Sequence, residues 1–239
     1  MNTRNRGRNS GDDVLFGNVN AIARLQEAIV DLNYLLSRGF AEKASSELVG
    51  NRYRLRARQI QMIKGATASK SQLDLRASKR MNIECLKDQT LYIDGFNLII
   101  LLESLLSQAY IFQGLDKCYR DLSSVHGSYK RVHQTTQSIE LVAAFHKNAM
   151  PEKLIWILDK PVSNSGRLKQ MLLEFAQSND LNWEVNLEFN PDRYLAEIAA
   201  PVISSDGWVL DHCRSWFNLV DYIIDSNKLE VNLFSAEGS

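Results

Sequence analysis

The chain of 239 residues lacks any apolar run long enough to cross a bilayer and has no signal-peptide core near its start, so a cytoplasmic location with no membrane partner is expected. Cysteine is scarce. Cys85, Cys118 and Cys213 are scattered, with no Cys-x-x-Cys pair and no Cys/His cluster, which argues against both a disulfide framework and a zinc site. No Gly-Lys-Ser/Thr ending exists, so a Walker-type nucleotide loop is absent. The paired aspartates of a haloacid-type phosphatase are missing too, because Phe96 stands where the second would fall. Internal repeats and low-complexity tracts are not found. Net charge is zero, yet its distribution is uneven. Lys and Arg outnumber Asp and Glu by 15 to 7 in residues 1–82, and the balance reverses to 13 against 21 in the remainder. Such asymmetry suggests a basic partner-binding part and an acidic catalytic part, or else solvated helix faces that happen to differ.

What is present divides into two regions. Residues 1–17, with Arg4, Arg6, Arg8 and a Ser-Gly-Asp-Asp stretch, carry few apolar groups and read as a flexible arm. From Val19 onward, Ile22, Leu25, Ile29, Leu32 and Leu36 form one helical stripe, and Arg38-Gly39 supplies a basic last turn and a stop. A second helix fits residues 41–49, ended by Gly50, and a third fits 55–64, ended by Gly65. Together these predict a small all-helical domain over 18–68, followed by a polar connector over 69–82. Over 83–239 strand and helix patterns alternate, which predicts an α/β domain with a parallel sheet flanked by helices. Residues 109–131 are less regular and have room for a hairpin, and 216–224 for a fifth strand.

The strand-like runs end in carboxylates. Leu91-Tyr92-Ile93 leads into Asp94, Leu154 to Leu158 into Asp159, Trp183 to Phe189 toward Asp192, and Val202 to Ser205 into Asp206, with Asp211 five residues on. In an open parallel sheet, ligands bind in the crevice outside the carboxyl ends of the strands. Several aspartates there repel one another unless a cation lies between them. Hard divalent ions take oxygen ligands and are held by a few carboxylates plus water and phosphate. Asp94, Asp159, Asp192 and Asp206 are therefore candidate ligands for Mg²⁺ or Mn²⁺. Each also has a plainer reading: Asp206 as a helix cap with Asp211 solvated, and Asp94-Gly95 as an ordinary strand-to-helix turn in which Asn97 caps the helix.

Other residues suit substrate binding. Asn97 follows the first strand-end aspartate at a spacing that would orient a metal shell. Ser163, Asn164, Ser165 and Arg167 precede a helix directly after Asp159, where free N–H groups and a guanidinium suit phosphate, although capping alone also accounts for the serines. Ser204 and Ser205 offer hydroxyls to a carboxylate or a phosphate. Residues 116–133 contain Asp116, Arg120, Asp121, His126, Lys130, Arg131 and His133, a density expected of a loop over a cleft. Arg120 and Lys130 are the candidate contacts there. Arg52, Arg54, Arg56 and Arg58 recur at every second position, offering phosphate contacts with Tyr53 as a stacking ring, or else pairing with Asp31, Glu42 and Glu47.

The segment Tyr92-Ile93-Asp94-Gly95-Phe96-Asn97, together with Asn190-Pro191-Asp192-Arg193-Tyr194-Leu195 and Val202-Ile203-Ser204-Ser205-Asp206, resembles the acidic motifs of the PIN and NYN nuclease superfamily. The resemblance implies a PIN/NYN-like parallel sheet in which Asp94, Asp192, Asp206 and Asp211 take the catalytic acidic positions. It also implies a metal-dependent ribonuclease, with single-stranded or structured RNA such as tRNA or rRNA as partner. Asp159 is not demanded by that pattern. Over about residues 20–225 the chain also resembles a prokaryotic family that joins a small helical domain of unknown function to a PIN-like domain. Residues 31–40 and 49–53 carry the N-terminal half of that likeness. The alternative expectation is a non-catalytic RNA-binding or regulatory protein that retains a degenerate PIN-like domain, with a homodimer or a regulatory protein as possible partners.

Overall fold

The structure, a computed structural model, describes residues 6–7, 9–123 and 129–237. Four helices come first: α1 (Val19–Ser37), α2 (Glu42–Arg52), α3 (Ala57–Ala66) and α4 (Lys70–Lys79). Asn18 caps α1 by accepting from the backbone of Asn20 and Ala21, and the helix buries Ala21, Leu25, Ala28, Ile29 and Leu32, with Ile22 and Leu36 at the flanks of the stripe. It ends where Gly39 adopts φ +81°, which lets the Phe40 N–H return to the Leu35 carbonyl. Gly50 and Gly65, expected as helix stops, instead lie inside α2 and α3. A Cβ at Gly50 would meet Ile60 Cδ1 at 2.7 Å, and one at Gly65 would meet Phe112 Cζ at 3.0 Å. Both glycines therefore serve close packing rather than termination. The polar connector over 69–82 is mostly helix α4, opened by a reciprocal cap between Ser69 and Gln72.

The described part of the arm over 1–17 is packed down. Phe16 is buried against Tyr110, Asp12 is buried and paired with Arg58 at 2.8 Å, and Arg6 pairs with the fully buried Glu103. These partners lie far away in sequence, so composition alone could not reveal them. Arg4, Arg8 and the rest of residues 1–5 lie outside the described residues.

The second region contains β1 (Thr90–Asp94), α5 (Gly95–Leu106), β2 (Ile111–Gln113), β3 (Tyr119–Asp121), α6 (Thr135–Ala149), β4 (Lys153–Asp159), α7 (Ser165–Ser178), β5 (Trp183–Glu188), α8 (Pro191–Glu197), β6 (Val202–Ile203), α9 (Gly207–His212), α10 (Leu219–Asn227) and β7 (Leu233–Ser235). The main sheet is parallel throughout, in the order β5-β4-β1-β6. Alternate residues serve opposite faces. Leu91, Ile93, Leu154, Trp156, Leu158 and Ile203 join the core beneath α5, α6 and α7, while Ile155, Ile157 and Val202 pack with Leu195 of α8 and Val209 and Leu210 of α9. The irregular stretch forms the antiparallel pair β2/β3, to which β7 adds in parallel as a separate small sheet. The fifth strand expected over 216–224 reduces to isolated bridges at Trp216, followed by α10. Leu219, Val220 and Ile223 are buried there at helical spacing, and the Asn218 side chain caps the helix from below.

The two regions share one interior. Phe112, Leu122 and Phe234 of the second region complete the core built on Leu25, Ile29, Leu32 and Met62. No helix among the described residues is long and apolar enough to cross a membrane.

Candidate functional site

Numbered only among themselves, the four parallel strands follow the order 3-2-1-4. The connections from β1 onward run over the face holding α5, α6 and α7, and α8 brings the chain back over the opposite face to β6. The direction of winding thus reverses between β1 and β6, and the carboxyl ends of those two strands are where open α/β sheets of this kind bind their ligands. Asp94 ends β1 there, and Ser204, Ser205 and Asp206 follow β6.

Asp94 is 3% exposed. Asn97 Nδ2 donates to its Oδ2 at 2.6 Å and Ser204 Oγ donates to the same oxygen at 2.7 Å. Burial raises its carboxyl to about 7, opposed by those two hydrogen bonds and reinforced by Asp192 and Asp206. Gly95 is required behind it, since a Cβ would lie 2.5 Å from Leu158 Cδ2 and 2.9 Å from the Ile157 carbonyl. Asn97 sits within α5 and serves Asp94 rather than capping the helix. The Ser204 hydroxyl also accepts from the Asp206 N–H at 3.0 Å, so one side chain ties the end of β1 to the loop after β6. Asp206 caps α9 by accepting from the Val209 N–H at 3.0 Å. Asp192, in the first turn of α8, is raised to about 6 by partial loss of water and by its neighbours Asp206 and Asp159. Asp159, half-buried at the end of β4, is raised by desolvation. Four carboxylates therefore share one rim, and the charges of their neighbours add to desolvation in raising Asp94 and Asp192. Among the described residues no group of three or more His, Cys, Asp or Glu converges tightly enough to hold a metal ion unaided.

The other expected residues go elsewhere. Asp211 is turned away from this rim. Arg76 donates to its two oxygens at 2.6 and 3.0 Å, and Gln72 adds a third bond at 2.7 Å. Arg120 is not held in a loop over the cleft; it is bonded to Asp116 at 2.6 and 2.9 Å and to the Ser205 carbonyl at 2.7 Å. Ser163 and Asn164 secure Tyr129, the first by accepting its N–H at 3.1 Å, the second by donating to its carbonyl at 2.8 Å. Ser165 is buried at the start of α7. Arg167 and Lys130 line a cavity of about 510 Å³ at the start of α7 with Arg131, Asn164, Met171 and Glu174, so three cations and one carboxylate face it. His126 lies outside the described residues. Of the alternating arginines, Arg52 pairs with Asp31 at 3.2 Å and Arg58 is held by Asp12, so these two have separate carboxylate partners. Glu188 was not singled out from the sequence. It ends β5 in register with Asp159, and the strand-end rule that picked out the other acids applies to it equally.

The sequence profile described as Protein of unknown function (DUF434) matches residues 24–79, which contain most of the helical region. Uncharacterized protein MJ0935 of Methanocaldococcus jannaschii is 29% identical over 201 residues, covering 84% of this chain and 93% of the relative. No solved structure matches the chain. A second profile, described as Domain of unknown function (DUF5616), matches residues 83–222, from just before β1 into α10, and the chain belongs to that family.

Proposed function

We propose that this chain is a Mg²⁺- or Mn²⁺-dependent endoribonuclease whose α/β domain is PIN/NYN-like. The observation that carries the reading is the buried Asp94 at the winding reversal, with Asp192 and Asp206 adding to its burial in raising its proton affinity, and Asp206 and Asp159 acting likewise on Asp192. A carboxylate-only donor set suits a hard cation. Mg²⁺ usually keeps several waters and is held through one or two carboxylates plus substrate phosphate. Its protein ligands would come from among Asp94, Asp206, Asp192 and Asp159. Once bound, such an ion lowers the pKa of a coordinated water and stabilises charge on the phosphoryl oxygens. Asn97 and Ser204 fix the orientation of Asp94. The cationic cavity around Lys130, Arg131 and Arg167 supports a neighbouring phosphate of the same strand. The open spacing of the acids also favours a second reading, a non-catalytic RNA-binding or regulatory protein.

Metal binding separates the two. Mn²⁺ or Mg²⁺ should raise the melting temperature of the wild type, by about 2.7 kcal/mol of stabilisation at a hundredfold excess over Kd. Asp206→Asn should blunt the rise while still capping α9. An unchanged melting temperature with no calorimetric heat removes the metal reading and leaves the second. Phosphate binding has its own test. Replacing Lys130 and Arg167 by Ala should flatten the plot of log affinity for single-stranded RNA against log salt by about 0.7 per lost contact. An unchanged slope would place the phosphate elsewhere.

A further inference from the structure

A second cavity, of about 430 Å³, opens between the helical region and α9. Its size lies within the rough 300–1,000 Å³ range of small-ligand pockets. Its character differs from that of the cavity at Arg167. Two large aromatic rings stand at it, Phe40 at 60% and Trp208 at 48% exposure. Trp208 is held flat against His212, with ring centroids 4.3 Å apart and planes at 27°. The charges along the walls are matched, since Arg76 is bonded to Asp211 and Arg120 to Asp116. Little net charge is left for a phosphate. A planar, uncharged group with polar edges fits such walls better. Thr67 lines the same cavity and is nearly fully buried, and its hydroxyl has no hydrogen-bond partner among the described residues.

This cavity adjoins the acidic rim. Gly207, the residue after Asp206, forms part of its wall, and Arg120 in its floor bonds the carbonyl of Ser205, the residue before it. Trp208 lies two residues beyond Asp206 on α9. A single strand laid across the carboxyl ends of the sheet has phosphate-binding cations on the α7 side and exposed aromatic rings on the α9 side. From this juxtaposition we infer that the groove between Phe40 and Trp208 receives an unpaired nucleobase of the RNA whose backbone crosses the acidic rim. The inference rests on the ribonuclease reading for the identity of the ligand. Stacking on aromatic side chains tolerates any base, so the groove selects for single-strandedness rather than for sequence.

The protein carries its own reporter. Of its four tryptophans, Trp156, Trp183 and Trp216 are buried and Trp208 is exposed. Oligouridylate titrated into the full chain in EDTA should quench tryptophan emission to saturation, whereas an abasic ribose-phosphate strand of equal length should not. Trp208→Ala should abolish the quench and weaken binding by roughly 5- to 150-fold, the equivalent of one stacked base, with the salt slope unchanged. Phe40→Ala should weaken binding in the same direction, and Trp208→Phe should retain most of the affinity while losing the signal. Binding without quench, no binding at all, or a Trp208→Ala variant with wild-type affinity each overturns the base site. Because metal is absent, the outcome is independent of catalysis. A quench without Mn²⁺-dependent cleavage keeps the groove and removes the nuclease, and cleavage without a quench does the reverse.

Discussion

Asp94→Asn is expected to abolish Mn²⁺-dependent RNA cleavage and, in the metal-free protein, to raise the melting temperature at pH 8. The two effects have one cause. The folded carboxyl sits at about 7, whereas an unfolded aspartate titrates near 3.9. Between those values folding takes up a proton, so stability falls as pH rises through that window, and the full penalty is present above about pH 7. The gap corresponds to roughly 4 kcal/mol in order of magnitude. Asparagine carries no charge and can still accept from Asn97 and Ser204 through its carbonyl oxygen. At about 2–4 °C per kcal/mol for a chain of this size, the gain should reach several degrees at pH 8 and vanish near pH 4. Thermal melts of both proteins in EDTA across that range provide the check. A melting difference independent of pH would show that the carboxylate is not strained by its surroundings, and residual metal-dependent cleavage would remove it from the site.

Arg76→Ala should cost about 3–5 kcal/mol, the usual loss when one partner of a buried ion pair is removed. Arg76 Nη1 bonds Asp116 at 2.7 Å while its Nε and Nη2 hold Asp211, and the guanidinium is almost fully buried. Burial alone would raise Asp116, but Arg120 and Arg76 outweigh it and hold that carboxyl at about 2. Its folded value lies below the unfolded one, so its contribution is fully present above about pH 4 and is lost as pH falls toward 2. Urea unfolding at pH 7 should show the loss. Adding Asp211→Asn to Arg76→Ala should recover part of it, because one stranded charge disappears. A single variant within about 1 kcal/mol of wild type would mean that the network is solvated in solution. The damage should also reach the acidic rim, because a Cβ at Gly207 would lie 3.0 Å from Arg76 Nη2, so the guanidinium packs close to the start of α9, and Arg120 holds the Ser205 carbonyl.

The strand-helix alternation beyond residue 83 was legible because buried parallel strands write themselves as short apolar runs, as in Leu154 to Leu158. The ends of those runs pointed to Asp94, Asp159 and Asp206 for the same reason. Partnership was not legible. Asp206 and Asp211 look equivalent in the sequence, yet one caps α9 and the other meets a guanidinium 135 positions earlier. Arg120 lies in a segment dense with polar groups, but its carboxylate partner is four residues away and both are buried. Gly50 and Gly65 carried the usual stop signal, which cannot be told from close packing until the neighbouring Ile60 and Phe112 are in place. The excess of basic residues in the first 82 positions is partly internal, since Arg6, Arg58 and Arg76 are each spent on a buried carboxylate. Trp208 carried no motif, and only its exposure beside Asp206 draws notice.

The shared interior has a consequence for biosynthesis. Phe234 and Ala236 belong to the same core as Leu25 and Ile29, and Gln26 bonds the Ser235 carbonyl across 209 positions at 3.2 Å. The helices at the start of the chain emerge early from the ribosome, but they cannot close their apolar surface until β7 follows. Contacts of such long sequence separation slow folding and leave apolar surface exposed meanwhile. The core on Leu25 and Ile29 is therefore complete only once β7, about 200 positions further on, has been made and docked.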